Sequence, residues 1–301
     1  MRVAAIDLGT FSALLLIAEL RRGRLHPLCE ERRTVDLTSD RHGRLPTEAV
    51  RRAGRVLSRY DALARQHGVS AGLVAATAAI RAAGNRAAVV EQLRRATSFP
   101  VQVLSARREA ALSARCALSG MRGATAQRLV IDLGGGSTEI LEPVSGVFRS
   151  FKIGAARATD QWVTHAPKNP AARDWYYLGC ADRAFLTLNP DVFRDTSAIV
   201  GVGGTLTALA ALAAGLRRFD PEVVHGRVLS ADWIGATAAE LARLPIARLR
   251  KLLPYDPARA RVIVAGTYLW AAVLNRLNAR RVTVSARGLR WGVAAQLAGL
   301  P

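Results

Sequence analysis

From Arg2 to Leu20 the apolar run VAAI is followed by Asp7-Leu8-Gly9-Thr10, a polar break, and then LLLIAEL. Short apolar runs on either side of a glycine turn read as strand, tight turn, strand. The Arg22-Gly23 turn leads into a further expected strand, Leu25 to Arg33. The rhythm then changes. Ala49, Val50, Ala53, Val56, Leu57, Tyr60, Leu63 and Ala64 recur at helical spacing, which predicts a helix from Pro46 to His67. Pro46 suits its start and Gly68 its end. Next come an expected strand at Ala71 to Ala76, a helix over Ala83 to Thr97 that Pro100 closes, a strand at Val101 to Leu104 and a helix from Arg107 to Leu118.

The opening pattern then returns. Arg128 to Asp132 is largely apolar, Gly134-Gly135-Gly136-Ser137-Thr138 is a turn, and Glu139 to Glu142 resumes a strand. A duplicated strand–loop–strand unit predicts two similar domains. The boundary is placed in the stretch Gly120 to Ala126, giving residues 1–125 and 126–301. Downstream, a strand at Ser197 to Val200 precedes Gly201-Val202-Gly203-Gly204-Thr205, which opens an Ala/Leu-rich helix. Arg281 to Ser285 reads as a strand and Gly288 to Leu297 as a helix. A chain of 301 residues suits two domains of roughly 150 residues each.

Half of the residues are apolar, enough for sizeable cores, yet no apolar run approaches the roughly 18 to 20 residues needed to span a bilayer. Ala13 to Leu20 is short, is interrupted by Glu19 and lacks a cleavage pattern, so no signal peptide is expected and the cytoplasm is the expected compartment. Cys29, Cys116 and Cys180 form no CxxC pair and the histidines form no HExxH, which argues against a disulfide framework or a zinc site. Lys plus Arg number 43 against 23 acidic residues, a formal charge of +20. Such a field attracts polyanions such as polyphosphate or nucleotides. The arginines are spread along the chain, so charge alone does not choose the ligand. Neither a membrane nor a specific nucleic acid is expected as a partner, and a homodimer is left open.

The two hairpin turns have a common chemical logic. Glycines at Gly9, Gly134, Gly135 and Gly136 let backbone N–H groups surround a phosphate, where side chains would block it. Hydroxyls of Thr10, Ser12, Ser137 and Thr138 add donors. Asp7 and Asp132, each ending a first strand, can hold a divalent cation. Gly203, Gly204 and Thr205 follow a strand and open a helix, so their N–H groups could face an anion.

Together these segments resemble the exopolyphosphatase / guanosine-pentaphosphate phosphatase (Ppx/GppA) family, in its short two-domain form. The resemblance is carried by AAIDLGTxSxxLLIAE at 4–19, ATxAxRxAxN at 76–85, VxVLSxxxEAxL at 101–112, VIDLGGGSTEI at 130–140, GAxR at 154–157, GVGGTLTALAAL at 201–212 and VTVSxRGLRxG at 282–292. It implies an α/β protein with two actin/sugar-kinase/Hsp70-like (ribonuclease H-like) domains, each on a mixed five-stranded sheet, around an interdomain cleft. The last helix is expected to pack back on the first domain. The implied activity is hydrolysis of a phosphoanhydride with magnesium or another divalent cation. The glutamate that activates water falls on Glu109; Asp132 and Glu139 match the residues that assist metal and water placement. Arg81 would neutralise substrate charge, and Asn85 and Arg157 match further family positions.

The chain departs from the family pattern at Phe11, Asp36, Ala78, Ala82, Arg108 and Ala286. Release of terminal orthophosphate from inorganic polyphosphate is the leading expectation. Hydrolysis of guanosine pentaphosphate is the close alternative within the same chemistry. A catalytically impaired protein that binds polyphosphate or an alarmone (guanosine penta- or tetraphosphate) is a third reading, motivated by the substitutions. A sugar or acetate kinase of the same fold is disfavoured by the Ser-Thr-Glu ending of the second loop and by the Glu109 segment.

Overall fold

The computed structural model describes residues 1–121, 128–193 and 198–300. Most of the expected boundary stretch Gly120 to Ala126, and Ser197 at the expected start of a strand, lie outside the described residues. The chain divides into two compact units, Met1–Cys116 with Gly288–Pro301, and Ala117–Arg287.

The first unit is built on strands β1 (Arg2–Leu8), β2 (Ser12–Arg21), β3 (Arg24–Thr34), β4 (Ala71–Ala76) and β5 (Val101–Val103), in spatial order β3-β2-β1-β4-β5. The first three form an antiparallel meander, and β4 and β5 run parallel to β1. Because side chains alternate along a strand, β1 feeds two cores. Ala4, Ile6 and Leu8 pack with the helix Thr47–Gln66, burying Val50, Leu57 and Tyr60. Val3 and Ala5 face the other way, into a core with Leu112, Cys116, Leu289 and Val293. Each fully buried Leu or Val side chain contributes about 1.5–3 kcal/mol. The second core belongs to two helices, Ala106–Ala117 and Leu289–Leu297. They approach closely at Gly292, where an added Cβ would lie 2.0 Å from the Leu112 carbonyl oxygen.

The helix expected over Ala83 to Thr97 is shorter, Arg86–Arg94, and a separate helix that was not expected, Ala78–Ala82, precedes it. Ala83 turns to extended backbone, the Gly84 N–H donates to Gly43 O, and the Asn85 amide bonds the Leu45 backbone. Those distant partners take the groups that a helix starting at Ala83 would have used.

The second unit repeats the scheme with β6 (Arg128–Leu133), β7 (Thr138–Leu141), β8 (Phe148–Phe151), β9 (Ala198–Val202), β10 (Val228–Ser230) and β11 (Arg281–Val284). Its order is β10-β11-β9-β6-β7-β8, so β8-β7-β6-β9-β11 matches the first sheet strand for strand. Among the described residues this sheet has six strands rather than the expected five. The addition is β10, three residues paired antiparallel to β11 at the edge. Both units are thus α/β, with mixed sheets of ribonuclease H-like order. No helix among the described residues is long and apolar enough to cross a membrane.

Candidate functional site

The two glycine turns close in the same way. In the first hairpin the Gly9 N–H donates to Ser12 O at 3.0 Å; in the second, Gly134 N–H donates to Ser137 O at 3.0 Å. In each, the aspartate lies two residues before that glycine: Asp7 pairs with Leu14 across the hairpin, and Asp132 pairs with Glu139. Directly opposed residues on antiparallel strands bring their side chains within about 5 Å at Cβ. The second hairpin therefore sets two carboxylates side by side. Glu139 is buried and its Oε1 accepts from Ser150 Oγ at 3.1 Å.

What surrounds each turn explains how its carbonyls are held. Carbonyl oxygens in the second loop are taken by the first turn of the helix Ala155–Trp162: Ala155 N–H donates to Gly134 O, and the amides of Ala156 and Arg157 both donate to Gly135 O, at 2.9–3.0 Å. Gly154 makes this approach feasible, since a Cβ there would lie 2.6 Å from Gly134 O and 2.7 Å from Gly136 N. With the carbonyls held behind, the amides of Gly135 and Gly136 have no partner among the described residues. In the first loop the carbonyls of Thr10 and Phe11 are held by the amides of Leu37, Val35 and Asp36. The Thr10 hydroxyl is buried and unpartnered among the described residues. A buried hydroxyl without a hydrogen bond is costly, by about 1–3 kcal/mol, unless a ligand completes it.

The third loop follows β9. Gly203 adopts φ 116°, open to glycine only, and a Cβ there would lie 2.2 Å from Leu133 O, so the loop is pressed onto the end of β6. Gly204 begins the helix Gly204–Ala213. The Arg259 guanidinium lies against it, with Nη2 2.2 Å from where a Cβ would stand. Arg259 is buried, and its Nε donates to Asp256 Oδ2 at 3.0 Å. A helix N-terminus and a buried guanidinium at one place favour an anion.

Three other expected site residues, Asn85, Thr138 and Arg157, have structural partners, whereas the buried Thr205 hydroxyl has none among the described residues. Asn85 is the side chain whose amide, described above, bonds Leu45 N–H and O, both at 3.0 Å. The Thr138 hydroxyl donates to Ile153 O at 2.7 Å. Thr205 Oγ1 is turned toward helix Ile263–Arg276, 2.4 Å from where a Gly266 Cβ would be. Arg157 Nη1 donates to Lys152 O at 3.1 Å. By contrast, Arg81 and Glu109 meet: Arg81 Nη1 donates to Glu109 Oε2 at 2.7 Å and to Leu104 O at 2.9 Å. Both side chains are mostly buried, 23% and 12% exposed. Glu109 sits in the first turn of Ala106–Ala117, where negative charge is favoured.

The profile of the Ppx/GppA phosphatase family matches residues 16–299. The chain belongs to that family. It is 33% identical to Exopolyphosphatase 2 of Mycobacterium tuberculosis, over 99% of both chains. It is 25% identical to the guanosine-5'-triphosphate,3'-diphosphate pyrophosphatase of Vibrio parahaemolyticus, covering 98% of this chain and 59% of that relative. The crystal structure of an Aquifex aeolicus Ppx/GppA phosphatase shares 29% identity with a TM-score of 0.75, over 99% of both chains. An exopolyphosphatase from Cytophaga hutchinsonii, at 23% identity and TM-score 0.87 over 100% and 99% of the chains, has the same fold.

Within this Ppx/GppA chain, sequence reasoning missed Arg259 and the contact role of Gly154. An isolated arginine in a chain with 43 cationic residues carries no local signal. The Gly203-Gly204 doublet does carry one, because two adjacent glycines at a helix start announce that something approaches closely.

Proposed function

We propose that this chain is an exopolyphosphatase-like phosphohydrolase that releases terminal orthophosphate from inorganic polyphosphate, with Glu109 activating the attacking water. The observation that carries the reading is the Arg81–Glu109 pair at 2.7 Å, which joins a charge-neutralising guanidinium to a candidate base within one unit. An arriving phosphate gives Arg81 a second anionic partner, and Glu109 is then able to accept a proton from water as the new P–O bond forms and the bridging P–O bond breaks, the shortened polyphosphate leaving. Amides of the glycine turns stabilise charge on the phosphoryl oxygens, the term that dominates phosphoryl transfer.

Metal dependence fits the donors present. Among the described residues no three His, Cys, Asp or Glu side chains gather as a cage. Magnesium does not need one, since it binds one or two carboxylates and takes the rest of its shell from water and substrate phosphate. Asp132 and Glu139, opposed across the second hairpin, are the pair we assign to hold it, with Asp7 as the candidate on the first. When bound, the ion would neutralise phosphate charge.

The test is orthophosphate release from long-chain polyphosphate with magnesium, for wild type and Glu109→Gln. A fall of about 10²–10⁴-fold in the variant, with polyphosphate binding retained, supports the base. Equal rates overturn it. Tight binding with no release by wild type would identify a binding protein. Guanosine pentaphosphate is tried in the same assay, because relatives over nearly the whole chain carry names of both activities.

A further inference from the structure

The second loop is backed by a helix, whereas the first is backed by Val35, Asp36 and Leu37, which lie in no regular element. Val35 and Asp36 donate to Phe11 O at 2.9 and 3.1 Å, and Leu37 donates to Thr10 O at 2.6 Å. Asp36 has φ 49°, the left-handed region that a non-glycine residue keeps only when its surroundings over-determine it. A segment with no ladder of its own and one strained residue needs an outside hold. Thr38 gives part of it, through its hydroxyl to Asp36 Oδ1 at 2.9 Å.

Arg52 gives the rest. From the helix Thr47–Gln66, its Nε donates to Val35 O at 2.7 Å and its Nη2 to Asp36 O at 3.0 Å. A planar guanidinium can fork across two consecutive carbonyls; a lysine ammonium, a point charge on a flexible stem, cannot hold that geometry. The carbonyls of residues 35 and 36 are thus fixed from one side while their amides fix the loop from the other.

We infer that Arg52 is a positioning residue for the first phosphate loop: its fork sets the Val35–Leu37 clamp, and the clamp holds the loop with the Thr10 hydroxyl ready for a phosphate. The phosphate role rests on the function proposed above; the clamp itself does not. Arg52 acts through two layers of backbone and has no assigned contact with substrate.

The experiment compares Arg52→Lys and Arg52→Ala with wild type by amide hydrogen exchange and by polyphosphate kinetics. Exchange at Val35, Asp36 and Leu37 should quicken by about tenfold or more, while β1 amides keep wild-type protection. The turnover number should fall between about ten- and a hundredfold, with KM little changed, as for a misplaced loop. Wild-type exchange in Arg52→Lys overturns the inference. So does a rise in KM without a change in exchange, which would mean a direct contact with the polyanion. If Arg52→Ala does not fold, Arg52→Lys decides. If wild type hydrolyses no polyphosphate, the kinetic reading falls with the proposed function and the exchange still judges the clamp.

Discussion

The two hairpins share a turn and a sheet position but differ in what stands opposite the aspartate. Asp7 faces Leu14, and Asp132 faces Glu139. They differ also in what lies behind: an irregular three-residue clamp in one, the first turn of a helix in the other. The turn closure and the backbone hold on its carbonyls are therefore duplicated, while the carboxylate pair is confined to one copy. A duplicated fold can keep its turn geometry twice and vary its side chains once, because the turn is made by the backbone and the carboxylates belong to single substitutable positions.

Making the second hairpin resemble the first is the severest way to test this. Glu139→Leu should leave a folded protein whose phosphate release falls by about a hundredfold or more, comparable to loss of a main electrostatic group. A variant that keeps wild-type rate and magnesium response would break the assigned division of labour. Gly154→Ala attacks the backing instead. Its Cβ collides with backbone atoms that cannot swing aside, so the second loop must shift, with a loss of about ten- to a hundredfold in turnover. Unchanged turnover and loop exchange would show that the helix contact is dispensable.

A smaller effect, of opposite sign in two measurements, is expected at Thr10. Thr10→Val removes an unpartnered buried hydroxyl, so the phosphate-free protein should gain up to about 1 kcal/mol in denaturant unfolding. Phosphate release should fall by up to about tenfold, the worth of one hydrogen bond. Loss of stability would mean that the hydroxyl has a partner of its own.

Acid should separate the units, with the smallest effect of all. In the second, burial holds the His225 imidazole below the ordinary histidine value of 6.5, with Arg287 adding to the shift and Ser119 O and Glu222 opposing it. The unfolded chain then binds the proton more readily, so stability is complete above pH about 6.5 and declines as pH falls through that range. In the first, Asp61 is held below the ordinary aspartate value of 3.8; burial opposes this, but hydrogen bonds from Ser98 and Thr97 and the charge of Arg65 outweigh it. Its contribution is lost only at more acid pH. Exchange protection should therefore decline first around Ser119 and Ala286, and His225→Gln should flatten that decline.

Much of the framework was legible because local pattern and final structure agree. The strand Ala71–Ala76 and the helix Thr47–Gln66 follow from period and caps alone, and both glycine hairpins stand where apolar runs flank a turn. The failures share a cause. The late start of the helix at Arg86 answers to Gly43 and Leu45, and β10 pairs with the edge that β11 offers. Arg52 and Arg259 matter for carbonyls and a glycine far away in sequence, which no window of neighbouring residues contains. Side-chain duties were hardest to read. Asn85 and Thr138 sit within the motifs, yet their polar atoms meet backbone partners that only the folded chain brings near.

The close approach of Gly292 to Leu112 also bears on how the protein is made. The core under β1 and β2 is completed by residues 289–295, which leave the ribosome only after the whole second unit has been synthesised. Until then Val3, Ala5, Leu16 and Ala18 have one apolar cover missing, and the helix carrying Glu109 lacks the helix that Gly292 brings against Leu112. Such a nascent chain exposes hydrophobic surface for as long as translation of the intervening stretch lasts, and that surface is prone to aggregation.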